Sequence, residues 1–158
     1  MTYKIKIIGD REVEVTPKVQ LYPVKDFMGN NLHSLAVNLE WINPESGMLE
    51  PFAMFTKSFG EFIGAKNCTY IDTNNCPFAD QLLKCGIARD TGFTKQSGFC
   101  KYPLWEFKEE FLKEHGAENY KYYCDEYDKY MKDNFGYDGE ENPEETEESD
   151  SKMKMEGM

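Results

Sequence analysis

The side chains in this sequence best suited to covalent chemistry are five cysteines and two histidines. Cys76 precedes a predicted helix start, where the helix dipole would lower a thiol pKa. Cys100 sits in a glycine-flanked loop. His33 and His115 are the two imidazoles that could serve as a base, and a Cys–His pair needs both side chains within hydrogen-bond reach. No spacing here enforces that, so a cysteine-dependent enzyme stands behind cysteines that simply pack. Metal-ligand spacing is missing too: there is no Cys-x-x-Cys and no His-x-x-x-His. Asp133–Glu140 is acidic and contains glycine but departs from calcium-loop spacing. Gly92–Gly98 holds glycines, Lys95 and hydroxyls, yet Lys95 precedes Gln96-Ser97 instead of closing a phosphate loop, which favours a structured turn. These readings predict no catalytic residue, no metal and no cofactor.

Charge offers another kind of chemistry. Glu106, Glu109, Glu110, Glu114 and Glu118 run along the predicted C-terminal helices, with Lys108 and Lys113 between them. The plain reading is a solvated face with i,i+4 pairs. The functional reading is a phosphate mimic, in which spaced carboxylates occupy a basic nucleic-acid channel on another protein, quickly and in a salt-sensitive way. Tyr120, Tyr122, Tyr123, Tyr127 and Tyr130 fall close together, and their spacing suits core packing first and an interface second. Tyr122 lies off the stripe and is predicted exposed. The candidate partner-binding set is therefore Glu109, Glu110, Glu114, Glu118, Tyr122, Asp125 and Glu126.

The elements that must position these residues are legible from periodicity. Tyr3, Ile5 and Ile7 alternate along a first strand, Gly9-Asp10 turns the chain, and Val13 and Val15 continue it as a hairpin. Pro17 is expected to interrupt that strand, and Pro23 to mark an edge or an end. Leu35, Val37, Leu39 and Trp41 share one face of the clearest strand. Asn43–Gly47 is a turn, and Phe52–Thr56 the return. Residues 58–67 are ambiguous, with a short helical turn as one option. Cys68–Asp72 reads as a strand. Thr73–Asn75 offer helix caps ahead of a short helix over about 77–85, and Gly86 offers its stop. Residues 87–99 read as loop and Tyr102–Phe107 as a last strand. Lys108–His115 and Glu118–Lys132 read as helices separated at Gly116. The expected fold class is α+β: one antiparallel sheet of five or six strands, a short middle helix and C-terminal helices.

The chain has 158 residues and a formal net charge of −11. Residues 133–158 carry ten acidic residues and two lysines, a net −8, against −3 for residues 1–132. This predicts a single domain over 1–133 and an acidic, disordered tail over 134–158. The net charge disfavours direct docking on nucleic acid or on an anionic membrane. No apolar run approaches the roughly 20 residues of a membrane span, and Met1–Lys6 lacks the apolar stretch of a secretory signal. The odd cysteine count without paired spacing suits reduced thiols. The expected location is the cytoplasm.

One stretch carries a resemblance. Ile71-Asp72-Thr73-Asn74-Asn75-Cys76-Pro77 is followed by Leu82-Leu83, Gly86-Ile87-Ala88 and Thr91-Gly92. Gln96-Ser97-Gly98-Phe99-Cys100-Lys101-Tyr102-Pro103 then leads to Phe107. This resembles a family of small proteins carried on conjugative and other mobile elements of gut bacteria. The resemblance brings no catalytic residues with it. It implies a setting in which small acidic proteins act against host defence, anti-CRISPR proteins among them. The leading expectation is a non-enzymatic, protein-binding inhibitor of a host defence system, an anti-CRISPR acting on an RNA-guided nuclease of the Cas9 type by acidic nucleic-acid mimicry. The alternative from another class is an accessory protein of element maintenance or transfer that binds an element-encoded partner.

Overall fold

The computed structural model describes residues 1–136. The chain divides into a compact unit of Met1–Tyr123 and a second unit that begins at Cys124. Among the described residues, the first unit contains every strand. β1 (Tyr3–Ile7), β2 (Arg11–Lys25), β3 (Asn31–Ile42) and β4 (Leu49–Met54) form an antiparallel meander in chain order. β5 (Thr56–Lys57), β6 (Cys68–Ile71), β7 (Ala88–Ser97) and β8 (Cys100–Phe107) form a second sheet in the order β5-β6-β8-β7. The helices are α1 (Ala79–Lys84) and α2 (Glu109–Phe135). The class is α+β, but the strands are divided between two sheets of four rather than gathered in one.

Phe55 makes that division. Its N–H donates to the Val37 carbonyl of β3 at 2.9 Å, and its carbonyl accepts from Asp72 N at 2.9 Å. Thr56 Oγ1 accepts from Val37 N at 3.0 Å. The return strand predicted over Phe52–Thr56 is thus cut at this residue, β4 closing the first sheet and β5 opening the second. The Phe55 side chain is completely buried. It lies in a run of aromatic contacts through Trp105 (5.6 Å between centroids), Phe107 (6.4 Å) and Phe111 (5.6 Å) to Tyr3 (6.3 Å).

β2 is one strand of 15 residues, so Pro17 does not interrupt it. Arg11–Val15 pairs with β1 and Thr16–Lys25 with β3. Past Val15 the β1 side of β2 is an edge, and an edge tolerates a proline that cannot donate. Both Pro17 and Pro23 fall in that half. α2 covers the edge: Asn119 Nδ2 donates to the Val19 carbonyl at 3.1 Å. A Cβ at Gly116 would sit 3.1 Å from Val19 Cβ, so this glycine is what lets the helix approach the strand so closely. β1 is covered in a similar way. The Gln81 side-chain amide of α1 accepts from Lys6 N and donates to Lys6 O, each at 2.8 Å.

Two further expectations change. Residues 88–97, read as loop, are a strand with a bulge between Asp90 and Thr94. The predicted cap residues Thr73–Asn75 do not cap α1, whose N-cap position is Phe78 with no side-chain bond. Asp72 instead organises the preceding turn, its buried carboxylate accepting from Asn75 N at 3.2 Å and from Asn75 Nδ2 at 2.9 Å. The two C-terminal helices expected on either side of Gly116 are both present, since α2 is two helical runs joined at a kink whose non-helical residue is Ala117 at φ 44° and ψ −116°. Residues 58–67 form no regular helix.

In the second unit the end of α2 carries a Lys129–Asp133 ion pair at 2.6 Å, and Asn134 Nδ2 donates to Tyr130 O at 2.9 Å. Gly136, at φ 65°, closes the helix with its N–H on Lys132 O at 2.9 Å. The acidic tail expected over 134–158 lies outside the described residues from 137 onward.

Candidate functional site

Cys76 is fully buried, and its Sγ lies 3.4 Å from the Met54 carbonyl. Burial first, and then the Asp72 carboxylate, push its thiol up to about 11. Burial likewise pushes Cys68 up to about 11. The lowering expected from a helix start therefore does not act on Cys76, which stands three residues ahead of a six-residue helix. His115 packs among the rings of Phe111 (4.8 Å) and Tyr3 (6.3 Å), beside Glu114. His33 meets Tyr122 edge-on at 5.5 Å. Among the described residues no three His, Cys, Asp or Glu side chains gather as metal ligands would. Gly92–Gly98 belongs to a hairpin and opens no helix.

Of the predicted acidic run, Glu106 lies on β8, paired with Arg89 at 2.6 Å, and the rest lie on α2. Glu109, Glu110, Glu114 and Glu118 are exposed in the first unit. They do not present four equivalent charges. The α-amino group of Met1 pairs with Glu114 at 2.5 Å and holds its carboxyl below the usual glutamate range. Lys113 lies 3.7 Å from Glu109. Tyr122 is exposed, as expected, while Tyr120 and Tyr123 are buried, their hydroxyls on Asn67 Oδ1 and Asn67 N, each at 3.0 Å. Asp125, exposed, and Glu126, half-buried, belong to the second unit, as do the buried Tyr127 and Tyr130.

Sequence reasoning missed the apolar side chains held outward on fixed turns. Phe27 is 90% exposed and Met28 69%, in the loop joining β2 to β3. The Asp26 carboxylate fixes that loop, accepting from Met28 N (3.0 Å), Asn30 N (2.8 Å) and Asn30 Nδ2 (2.9 Å). Phe93 is 70% exposed on the β7 bulge. There Asp90 Oδ1 accepts from Gly92 N at 2.9 Å, and the Thr91 hydroxyl donates to Leu104 O at 2.7 Å. Phe99 is fully exposed at the β7–β8 turn, where Gly98 takes φ 63° in the first central position of a two-residue hairpin loop. The segment Gly60–Phe62 joins the bases of both hairpins. It bonds Lys25 N and O at 3.0 and 2.9 Å, and Glu61 pairs with Lys95 at 3.1 Å. The available signal was an aromatic next to each turn glycine or Asx residue.

A cleft of about 590 Å³ opens where β2 leaves β3. Arg11, Glu12, Val13, Glu14 and Thr16 line one wall, and Trp41, Ile42 and Leu49 the other. The Arg11 guanidinium lies 5.7 Å from the Trp41 ring centroid, and Phe52 packs against the same indole at 5.1 Å.

The family model for DUF4313, a domain of unknown function, matches residues 22–127. The chain belongs to the DUF4313 family. Ile71–Phe107, which carries the resemblance, lies within the DUF4313 span, as do both turns with exposed aromatics. β1 and Arg11–Leu21 of β2 lie ahead of it. No curated protein and no solved structure matches the chain. No helix among the described residues is long and apolar enough to cross a membrane.

Proposed function

We propose that this DUF4313 chain is a non-enzymatic protein-binding module. The observation that carries this reading is the set Phe27, Met28, Phe93 and Phe99, held in solvent on turns whose backbones are hydrogen-bonded in place. Large apolar side chains on rigid supports lose little entropy when a partner buries them, and such anchors dominate interface energies. The partner class proposed is a host defence nuclease of the RNA-guided kind, inhibited by this chain as an anti-CRISPR protein. The resemblance to mobile-element proteins and the net charge of −11 support that choice. Carboxylates on α2 contribute attraction toward a basic channel, and the hairpin aromatics contribute the fixed contact.

The test is co-purification of the tagged chain with a panel of RNA-guided nucleases, with and without guide RNA, at two salt concentrations. The expected result is a salt-sensitive complex that excludes target DNA and is lost when Phe27 and Phe99 are both changed to Ala. Retention of inhibition after Glu109, Glu110, Glu114 and Glu118 are all changed to Gln would sink the mimicry mechanism. Recovery of a relaxase or partition protein from a donor cell, with no nuclease bound, would move the assignment to element maintenance or transfer.

A further inference from the structure

β2 and β3 separate after the pair Thr16↔Glu40. Beyond that point β2 runs on to Arg11, paired with β1 on its other side, and β3 runs on to Ile42, paired with β4. Two strand edges therefore face each other across the cleft with no ladder partner among the described residues. In an antiparallel strand every second residue turns its N–H and C=O to one side. At least two residues of Arg11–Val15 thus direct both groups into the cleft. Elsewhere amide side chains cover the strand edges, Gln81 on β1 and Asn119 on β2. No such cover lies over this fork among the described residues.

The walls also define side-chain chemistry. Val13 and Trp41 lie on the buried-face positions of their strands, and Arg11 lies over the indole. Ile42 and Leu49, in register with each other, are exposed on the opposite face. Glu12 and Glu14 take the opposite face of β2, in register with Lys6 and Lys4 of β1, which places carboxylates next to a strand that pairs on their other side.

We infer that this fork binds an extended peptide segment of a partner protein by strand addition to Arg11–Val15. The segment alternates apolar residues, which lie toward Val13 and Trp41, with basic residues, which lie beside Glu12 and Glu14. Main-chain hydrogen bonds give such pairing its strength, and alternate side chains give it selectivity. A basic residue opposite each glutamate would mirror the register positions of Lys4 and Lys6 on the other side of β2, where the Glu14 carboxylate accepts from the Thr2 hydroxyl. The inference rests on the reading of this chain as a protein-binding module but uses a different surface from the hairpin aromatics.

The test uses a capped heptapeptide alternating valine and lysine, titrated into the full chain. Binding is read from backbone amide shifts and from Trp41 fluorescence, the other indole, Trp105, being buried. The expected result is saturable binding with shifts at Arg11–Val15 and Trp41–Ile42. A peptide N-methylated at alternate bonds, or one alternating valine and glutamate, should bind at least tenfold more weakly. The double variant Glu12→Gln with Glu14→Gln, shown folded by its unchanged melting curve, should weaken the lysine peptide by a similar factor. Equal binding of the N-methylated peptide, shifts confined to the hairpins, or no saturation would overturn the inference. So would shifts at the fork that depend on protein concentration alone, since a second copy would then be its occupant. The nuclease panel and the peptide titration can each fail while the other succeeds, which keeps the two readings separable.

Discussion

His115 illustrates how a single residue acquires a property from its burial. Its side chain is 4% exposed, and Nε2 has no hydrogen-bond partner. Burial is the largest influence and lowers its pKa from the ordinary 6.5. The Glu114 carboxylate acts in the raising direction, the Met1 ammonium in the lowering one, and the Pro17 carbonyl raises it again. A base whose folded pKa is depressed binds fewer protons folded than unfolded. Its contribution to stability is therefore complete above 6.5 and is lost as pH falls through the folded value. Urea midpoints measured from pH 7.5 down to 5 should fall, and His115→Gln should flatten that fall. The depressed carboxyls of Glu114 and Glu50 act in the same sense at lower pH, below their ordinary 4.5. None of this was legible in the sequence, where His115 is a polar residue near a predicted helix end. Cys76 is packed in the core, the preferred reading, and the lowering of its thiol expected from a helix start fails because burial and not helix position governs it.

At the scale of elements, periodicity served the strands well and glycine was the ambiguous sign. Tyr3–Ile7, Leu35–Trp41 and Cys68–Ile71 fall where alternation places them. Gly116 reads as a helix breaker in sequence, and the helical run does kink there, with the non-helical angles carried one residue on by Ala117. The glycine is there for contact. The Val19 Cβ and Cγ1 and the Tyr120 Cβ would each lie 3.1 Å from an added methyl. Gly116→Ala should therefore cost about 1–3 kcal/mol by overpacking, read as a lower urea midpoint with an unchanged slope. An unaltered midpoint would show that α2 can lift from the β2 edge without loss. The β7 strand was missed because its alternation is broken by the bulge between Asp90 and Thr94, whose glycine and threonine mimic a loop.

At the scale of the molecule, the joining of two sheets depends on Phe55. Its backbone links β3 to the turn after β6, and its ring stands between Phe78 at 6.5 Å and Trp105 at 5.6 Å. Phe55→Ala would leave a large cavity at the point where both sheets meet. A phenylalanine deletion of this kind costs about 3–5 kcal/mol, a large part of the roughly 5–15 kcal/mol that holds a domain folded. Thermal unfolding of this variant should be markedly lower in midpoint, with both sheets lost together. Loss of the second sheet alone would show that the sheets are independent.

The amino-acid sequence by itself determined the local structure of this chain: the α+β class, most strands, the turn positions and the concentration of negative charge toward the end. Those follow from short-range alternation, turn chemistry and composition, all of which act between residues near in sequence. The tertiary structure alone decided the rest. It split one expected sheet into two at Phe55, raised the Cys76 thiol, paired Glu114 with the distant Met1 ammonium and separated β2 from β3 around Arg11 and Trp41. Each of these depends on burial or on contacts between residues far apart in the chain, and neither is encoded in any local pattern.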